Sequence, residues 1–258
     1  MNFSVDTLLT MISVWFFPFL RIGAMFMTMP VIGSKLVSSQ TRLLLSVLVS
    51  VAVVPLVTDV PQTIDLNLNT LVLILRELIV GFSLGFSFQM LFQVFSLGGQ
   101  LMAMKMGLGF AMMNDPASGV QTTVLSQFFL IMSMLVFVSV DGHLYLISTV
   151  VESFKTLPLA EASFSPKSYI SIVHLLSWVF VSALVFALPI ITSLLFVNIA
   201  FGVMSRAAPQ LNIFAVGFPF TLLCGLLLVW VGLDKYLDSF DKSSSYMFEF
   251  VHGMLKIN

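Results

Sequence analysis

The chain has 258 residues, of which 59% are apolar and only 9% charged, against roughly 25% charged residues in an ordinary soluble domain. With a mean hydropathy of +1.07, that balance excludes a soluble globular enzyme and reads as one integral membrane unit. Eleven Lys and Arg stand against twelve Asp and Glu, a net charge of -1, so no basic surplus exists to neutralise a nucleic-acid backbone.

The first six residues carry no Lys or Arg, and the first cation, Arg21, lies inside an apolar run. A cleavable signal peptide needs a positive stretch before its apolar core, so no cleavage is expected. An apolar segment of about 20 residues is needed to cross roughly 30 Å of hydrocarbon, and six runs approach that length. The first is Leu8–Met29, with Pro18 and Arg21 inside it, and Gly33–Arg42 connects it to the second, Leu43–Val60. Pro61–Asn69 then leads to the third, Leu71–Phe95, which contains the neighbours Arg76 and Glu77.

At 100° per residue the third run places Glu77, Gly81, Gly85, Gln89, Gln93, Ser96 and Gln100 within an arc of about 160°. This small and polar side has two readings. The spacing of Gly81 and Gly85 allows another backbone to approach closely, which favours a helix contact, whereas the three glutamines suit a wet cavity or partner helices. Leu78, Phe82 and Phe92 share the arc, so it is no clean aqueous wall.

The connection Gly98–Gly119 is unusual. From Met102 to Met113 five of twelve residues are methionine, interleaved with Gly107 and Gly109 and followed by Asn114, Asp115 and Pro116. Glycine permits unusual backbone angles, Asn-Asp-Pro favours a turn, and methionine adapts to irregular surfaces. The expectation is a deformable loop able to close an opening; a plain connector is the alternative.

The fourth run, Val124–Val151, contains Asp141, Gly142 and His143. Adjacent helix positions point about 100° apart, so this triplet predicts a polar break rather than an acid-base pair. After Glu152–Ser168 comes the fifth run, Ile170–Phe201, holding Pro189; the connection Gly202–Asn212 carries Arg206. The sixth, Phe214–Leu233, holds Pro219 and the single cysteine, Cys224, read as a small buried hydrophobe. Beyond it, Asp234–Lys242 and three serines read as a polar exit. Met247, Phe250, Val251 and Met254 then repeat at helical spacing opposite Glu249, His252 and Lys256, an amphipathic helix for a partner or a bilayer surface. The expected division is therefore 1–233, a helical membrane domain, and 234–258, the polar exit and short C-terminal helix.

Long continuous apolar runs favour helices over a closed barrel, so the fold is expected to be all-α. Six crossings would put Lys155, Lys167, Lys235, Lys242 and Lys256 on one side and Lys35, Arg42, Lys105 and Arg206 on the other, a count that assigns no orientation. Arg21, Arg76, Glu77 and Asp141 would each cost about 2.5 to 3.5 kcal/mol facing lipid at mid-bilayer, so they are expected to face protein or water. Pro18, Pro55, Pro189 and Pro219 each remove a backbone donor and bend a helix. Kinked helices with interior charges suggest the inside of an assembly. His174 and His252 have no second ligand at metal spacing, and no nucleophile triad or phosphate-binding glycine motif occurs. No cofactor, metal or enzymatic activity is expected.

The stretches RELIVGFSLGF (Arg76–Phe86), GLGFAMMNDP (Gly107–Pro116), VDGHLYLI (Val140–Ile147), VESFKTLP (Val151–Pro158) and SRAAPQLNIFAVGFP (Ser205–Pro219) resemble, in order along essentially the whole chain, the FliR family of flagellar export-gate subunits, whose relatives serve virulence-associated secretion systems. The resemblance implies a non-enzymatic subunit at the bacterial inner membrane, assembled with FliP and FliQ into a helical channel for unfolded flagellar proteins and associated with FlhB. It further implies that much apolar helix surface is covered by other subunits and that the assembly is displaced toward the periplasm. It assigns a plug role to Gly107, Leu108, Gly109, Phe110, Ala111, Met112, Met113, Asn114, Asp115 and Pro116, with Met106 at its start. Arg21, Arg76, Glu77, Gln89, Gln93, Gln100, Asp141 and Arg206 are the expected polar contacts between helices or subunits. The rival reading is a secondary transporter of a small solute, with Arg76, Glu77 and Asp141 in a midplane site.

Overall fold

In a computed structural model that describes residues 5–33, 37–57, 67–109, 122–159, 165–207 and 213–256, with side chains outside 5–13, 166 and 213–215, every regular element is helical. The order is α1 (Val5–Thr28), α2 (Ser39–Val53), α3 (Leu68–Lys105), α4 (Val124–Ser139), α5 (Gly142–Thr156), α6 (Pro166–Ala207), α7 (Ile213–Gly232) and α8 (Tyr236–Lys256), with short 3-10 turns at Val54–Leu56 and Leu233–Lys235. The all-α expectation holds.

Four helices open on the same device. A polar side chain just before the helix accepts the backbone N–H three residues on: Ser38 from Thr41 at 3.2 Å, Asn67 from Thr70 at 3.0 Å, Thr123 from Ser126 at 3.2 Å, and Ser165 from Ser168 at 3.3 Å. Each satisfies one of the donors that a helix start leaves open. Pro166 follows Ser165 at the first helical position, where its missing N–H costs nothing.

The observed elements differ from the expected runs in physical detail. Helix α3 continues ten residues past Phe95 to Lys105, through Gly98 and Gly99. Both glycines are buried, and the backbone of Leu125 and Ser126 sits where a side chain on Gly99 would go. Packing thus offsets a helix penalty of about 1 kcal/mol per glycine. The expected loop therefore begins only after Lys105, and Met102 and Ala103 are buried helix residues. The fourth run is not straight: α4 and α5 meet at a 70° bend where Asp141 adopts φ +57, the polar break read from Asp141-Gly142. Of the four prolines, Pro18, Pro189 and Pro219 lie inside continuous helices, and Pro55 ends α2 in a 3-10 turn. After Leu233 the chain does not exit as a polar tail: Tyr236–Lys256 is one 21-residue helix.

Among the described residues four helices are long and apolar enough to cross a membrane, or five if the bent α4–α5 pair counts as one span; in α1 the apolar stretch Val14–Thr28 is shorter. The 38 residues of α3 and 42 of α6 correspond to about 57 and 63 Å at 1.5 Å per residue, near twice the hydrocarbon thickness.

The chain forms two units. The first comprises α1, α2, the start of α3 through Met90, residues 136–175 and the end of α8 from Tyr246. Its core holds Phe17, Ile22, Phe26, Leu84, Phe88 and Val150. Met247, Val251 and Met254 of α8 are buried, and Phe248 packs on Tyr145 with ring centroids 4.2 Å apart and the rings tilted by 38°. The amphipathic face read from the sequence is thus spent inside the chain, not left for a partner or a lipid surface. The second unit comprises residues 91–135 and 176–245. Its centre is an aromatic cluster: Phe95 lies 5.2 Å from Phe186 and 5.3 Å from Tyr236, and Phe129 lies 5.1 Å from Phe186. The Tyr236 hydroxyl finds Ser133 Oγ at 2.8 Å, so the buried phenol is not left unpaired.

Candidate functional site

The first unit contains the most demanding interaction among the described residues. Arg21 of α1 is fully buried, and its guanidinium donates all five N–H groups. Nε reaches Glu77 Oε2 at 2.7 Å and Nη2 reaches Glu77 Oε1 at 3.0 Å, a forked pair with α3. Nη1 reaches the carbonyl and hydroxyl oxygens of Ser153 at 2.9 and 3.1 Å, and Nη2 reaches the Leu157 carbonyl at 3.0 Å. Phe154 lies under the guanidinium, 4.3 Å from ring centroid to carbon. The carbonyls of Ser153 and Leu157 end α5, where the helix dipole is negative, so the cation also caps that helix. One side chain ties α1, α3 and α5 together.

The approach that makes this possible is set by glycine. A Cβ on Gly81 would overlap the Arg21 carbonyl, and one on Gly85 would overlap Thr28 Oγ1 and press on the Met25 carbonyl. The small side of α3 therefore receives the backbone of α1, the helix-contact reading of that arc, and the partner is within the same chain. Hydrophobic transfer gives little preference for helix contact over lipid, so close backbone packing and buried polar pairs are what hold such helices together.

The remaining interior polar residues fall in different settings. Arg76 is half-buried, and Gln89, Gln93 and Gln100 are half-buried along α3. Asp141 is exposed at the α4–α5 bend, and Arg206 is exposed in the last turn of α6. Both Glu77 oxygens are engaged by Arg21, while Asp141 points to the surface, so the trio required by the transporter reading is not assembled. His252 Nδ1 lies 3.6 Å from Glu152 Oε1 at the surface. No cluster of metal-ligating side chains occurs among the described residues.

In the second unit the end of α3 has a defined stop. Leu108 N–H bonds to the Ala103 carbonyl at 3.0 Å and Gly107 N–H to the Met104 carbonyl at 3.2 Å, with Gly107 at φ +84. This is the paired bonding of a Schellman termination, which requires a left-handed residue at Gly107's position. Met106 is fully buried and its side chain fills the space above Gly225 of α7, while the ring of Phe218 covers Gly107. Of the expected plug residues, Met106, Gly107, Leu108 and Gly109 are thus placed; Phe110, Ala111, Met112, Met113, Asn114, Asp115 and Pro116 lie outside the described residues.

Sequence reasoning missed Ser153, Phe154, Phe218 and Gly225 as functional partners. Ser153 and Phe154 lie in the VESFKTLP stretch and Phe218 in SRAAPQLNIFAVGFP, so a signal existed for three of them; nothing marked Gly225 within its apolar run.

Comparison with known proteins gives a consistent result. The family model described as "Bacterial export proteins, family 1" matches residues 12–247. The chain is 34% identical over 227 residues to the flagellar biosynthetic protein FliR of Pectobacterium carotovorum subsp. carotovorum, covering 88% of this chain and 87% of that protein. It is 34% identical over 223 residues to FliR of Escherichia coli K12, covering 86% and 84% respectively. Against FliR of Buchnera aphidicola subsp. Acyrthosiphon pisum it is 32% identical over 255 residues, covering 99% and 98%. With every helix from α3 to α7 inside the matched span, the chain belongs to family 1 of the bacterial export proteins, together with the FliR proteins.

Proposed function

We propose that this chain is a non-enzymatic subunit of the flagellar protein export apparatus in the bacterial inner membrane. The observation that carries the reading is near full-length similarity to flagellar biosynthetic FliR proteins. The helix surfaces agree with it. In α6, Phe180, Val181, Val185 and Phe196 are each more than 60% exposed, and in α7 so are Leu227, Trp230 and Val231. Such faces need lipid or other apolar helices over them.

In the finer reading these faces meet FliP and FliQ, with FlhB associated, to enclose a channel for unfolded flagellar proteins. The assembly sits toward the periplasm, as helices near twice the hydrocarbon thickness would allow. Arg76, Gln89, Gln93, Gln100, Asp141 and Arg206 supply polar contacts to those subunits, and Met106–Pro116 closes the channel at rest. Methionine suits that closure because it conforms to irregular surfaces without a rigid complementary shape. Energy for export comes from other components.

The test is conductance of the purified complex in planar bilayers after deletion of Gly107–Met113. Assembly is expected to persist while current at rest rises; conductance equal to that of the intact complex would remove the plug role.

A further inference from the structure

Three helices of the first unit turn stripes of the same spacing toward one groove. Leu20, Gly23, Ala24 and Met27 of α1 repeat at i, i+3, i+4 and i+7, and the lining residues between Ser39 and Ser46 of α2 and between Leu75 and Phe82 of α3 do the same. The space between them measures about 830 Å³, within the ~300–1,000 Å³ of ligand sites. Gly23 and Ala24 recess the α1 wall, and a Cβ on Gly23 would meet nothing within 4 Å. The α3 wall is apolar and open, with Leu75 and Phe82 about half exposed.

The groove has a polar end and an apolar body. Thr28 ends α1, and Ser39 and Arg42 lie in the first turn of α2, so polar lining collects where these two helices approach their connection. Ser46, one turn further along α2, spends its hydroxyl on the Leu43 carbonyl at 2.8 Å. Among the described lining residues Arg42 is the only charged one. The Val37 carbonyl accepts from its Nε and Nη2 at 3.2 and 2.8 Å, which fixes the guanidinium at this end. Ser39–Leu56 is long and apolar enough to cross a membrane, so Arg42 stands at the start of a span, the level of the lipid headgroups. From Leu20 to Met27 the α1 stripe covers about 10 Å at 1.5 Å per residue, about a third of the hydrocarbon thickness. That length suits the part of an acyl chain nearest its headgroup.

We propose that this groove binds a membrane phospholipid with an anionic headgroup. An acyl chain lies along the recessed face of α1 against the open face of α3, and the phosphate rests on Arg42. A cation at the interface above an apolar slot between helices is the combination that anionic lipids occupy, and arginine suits a phosphate because its charge and several donors converge on one side. The site requires only that α2 cross the membrane and is independent of how any channel is closed.

The experiment places the co-purified complex in vesicles holding a trace of phosphatidylglycerol or phosphatidylcholine with a diazirine on the acyl chain near the glycerol, and maps photolabelled peptides by mass spectrometry. Peptides covering residues 19–28 and 75–82 are expected to take phosphatidylglycerol about fivefold over phosphatidylcholine, the order set by one cation at an anionic headgroup. Gly23→Leu fills the groove and is expected to lose most of this labelling, while Gly202→Leu, at another helix glycine with nothing within 4 Å of a new Cβ, is expected to keep it. Arg42→Gln should bring the two lipids level, and Arg42→Lys should keep the preference. Should Gly23→Leu lower complex yield, the intact complex decides: excess unlabelled phosphatidylglycerol must displace the label from these peptides more than excess phosphatidylcholine does.

Equal labelling by the two lipids in the intact complex, labelling that survives Gly23→Leu, or a loss with Arg42→Gln that is the same for both lipids overturns the site. So does cross-linking of benzoylphenylalanine placed at Met27 to another subunit or a second copy of this chain, which would assign the groove to a protein helix.

Discussion

At the scale of residues, the buried guanidinium of Arg21 is the strongest constraint among the described residues. Its five donors are all accepted, and among the described residues its charge is matched only by Glu77. Removing one partner of a buried pair leaves an uncompensated charge and costs about 3–5 kcal/mol, whereas replacing both by apolar groups is often far milder. Glu77→Leu alone is therefore expected to lower the thermal stability of the assembled protein sharply, and Arg21→Met alone likewise. The Arg21→Met/Glu77→Leu double variant should recover much of the loss in a thermal melt of the purified complex. Recovery stays incomplete because the Ser153 and Leu157 carbonyls then lose donors. If the double variant is as unstable as the sum of the singles, the ion pair is not the coupled unit described. That Arg21 and Glu77 each needed protein around them was legible from two charges in apolar runs. Their pairing was not, because 56 residues and a helix connection separate them and neighbouring Arg76 offered an equally charged alternative. The missing information was the crossing of α1 on α3.

At the scale of elements, local chemistry accounts for much that the sequence makes visible. The alternation of apolar runs with Pro, Gly and polar breaks located the helices, and Asp141-Gly142 located the bend. Local signals failed where packing overrode propensity: Gly98 and Gly99 read as a loop start, yet α3 runs through them because neighbouring helices occupy the space beside them. The α1–α3 contact belongs to the same class. Gly81→Leu or Gly85→Leu would drive a side chain into the α1 backbone, and overpacking of this kind costs about 1–3 kcal/mol or more where backbone must move. The expected result is a lower yield of folded complex in detergent for either variant. Gly253→Ala in α8 is the contrast: nothing lies within 4 Å of the new methyl, so a gain of about 0.5–1 kcal/mol from helix propensity is expected. Equal behaviour of the three variants would mean that α1 and α3 do not depend on close glycine contact. The C-terminal helix shows a further limit of periodicity. Met247, Val251 and Met254 identify an apolar face correctly, but the period cannot say that the face is buried within the chain itself.

At the scale of the whole molecule, one apolar 18-residue stretch in α6 and one in α7–α8 each have only 22% of their residues buried. Large exposed apolar side chains run along α6 and α7, while the buried Arg21–Glu77 pair of the first unit is satisfied internally. Lipid alone could cover such faces, but membership of a family of export proteins makes other subunits the expected cover. The residues proposed to close a passage are legible as a composition, methionine with glycine before Asn-Asp-Pro, and the described structure fixes only their start, at Met106 and Gly107. The path that they would close belongs to the proposed assembly, which one chain's sequence does not encode in full.

The most direct measurement is native mass determination of the tagged chain extracted from its own membranes, beside the same chain produced alone. The account predicts that the extracted chain arrives in a large complex with several other small helical membrane proteins and that the chain produced alone is unstable or aggregated. A well-behaved homo-oligomer that moves a small solute across vesicles unaided would contradict it.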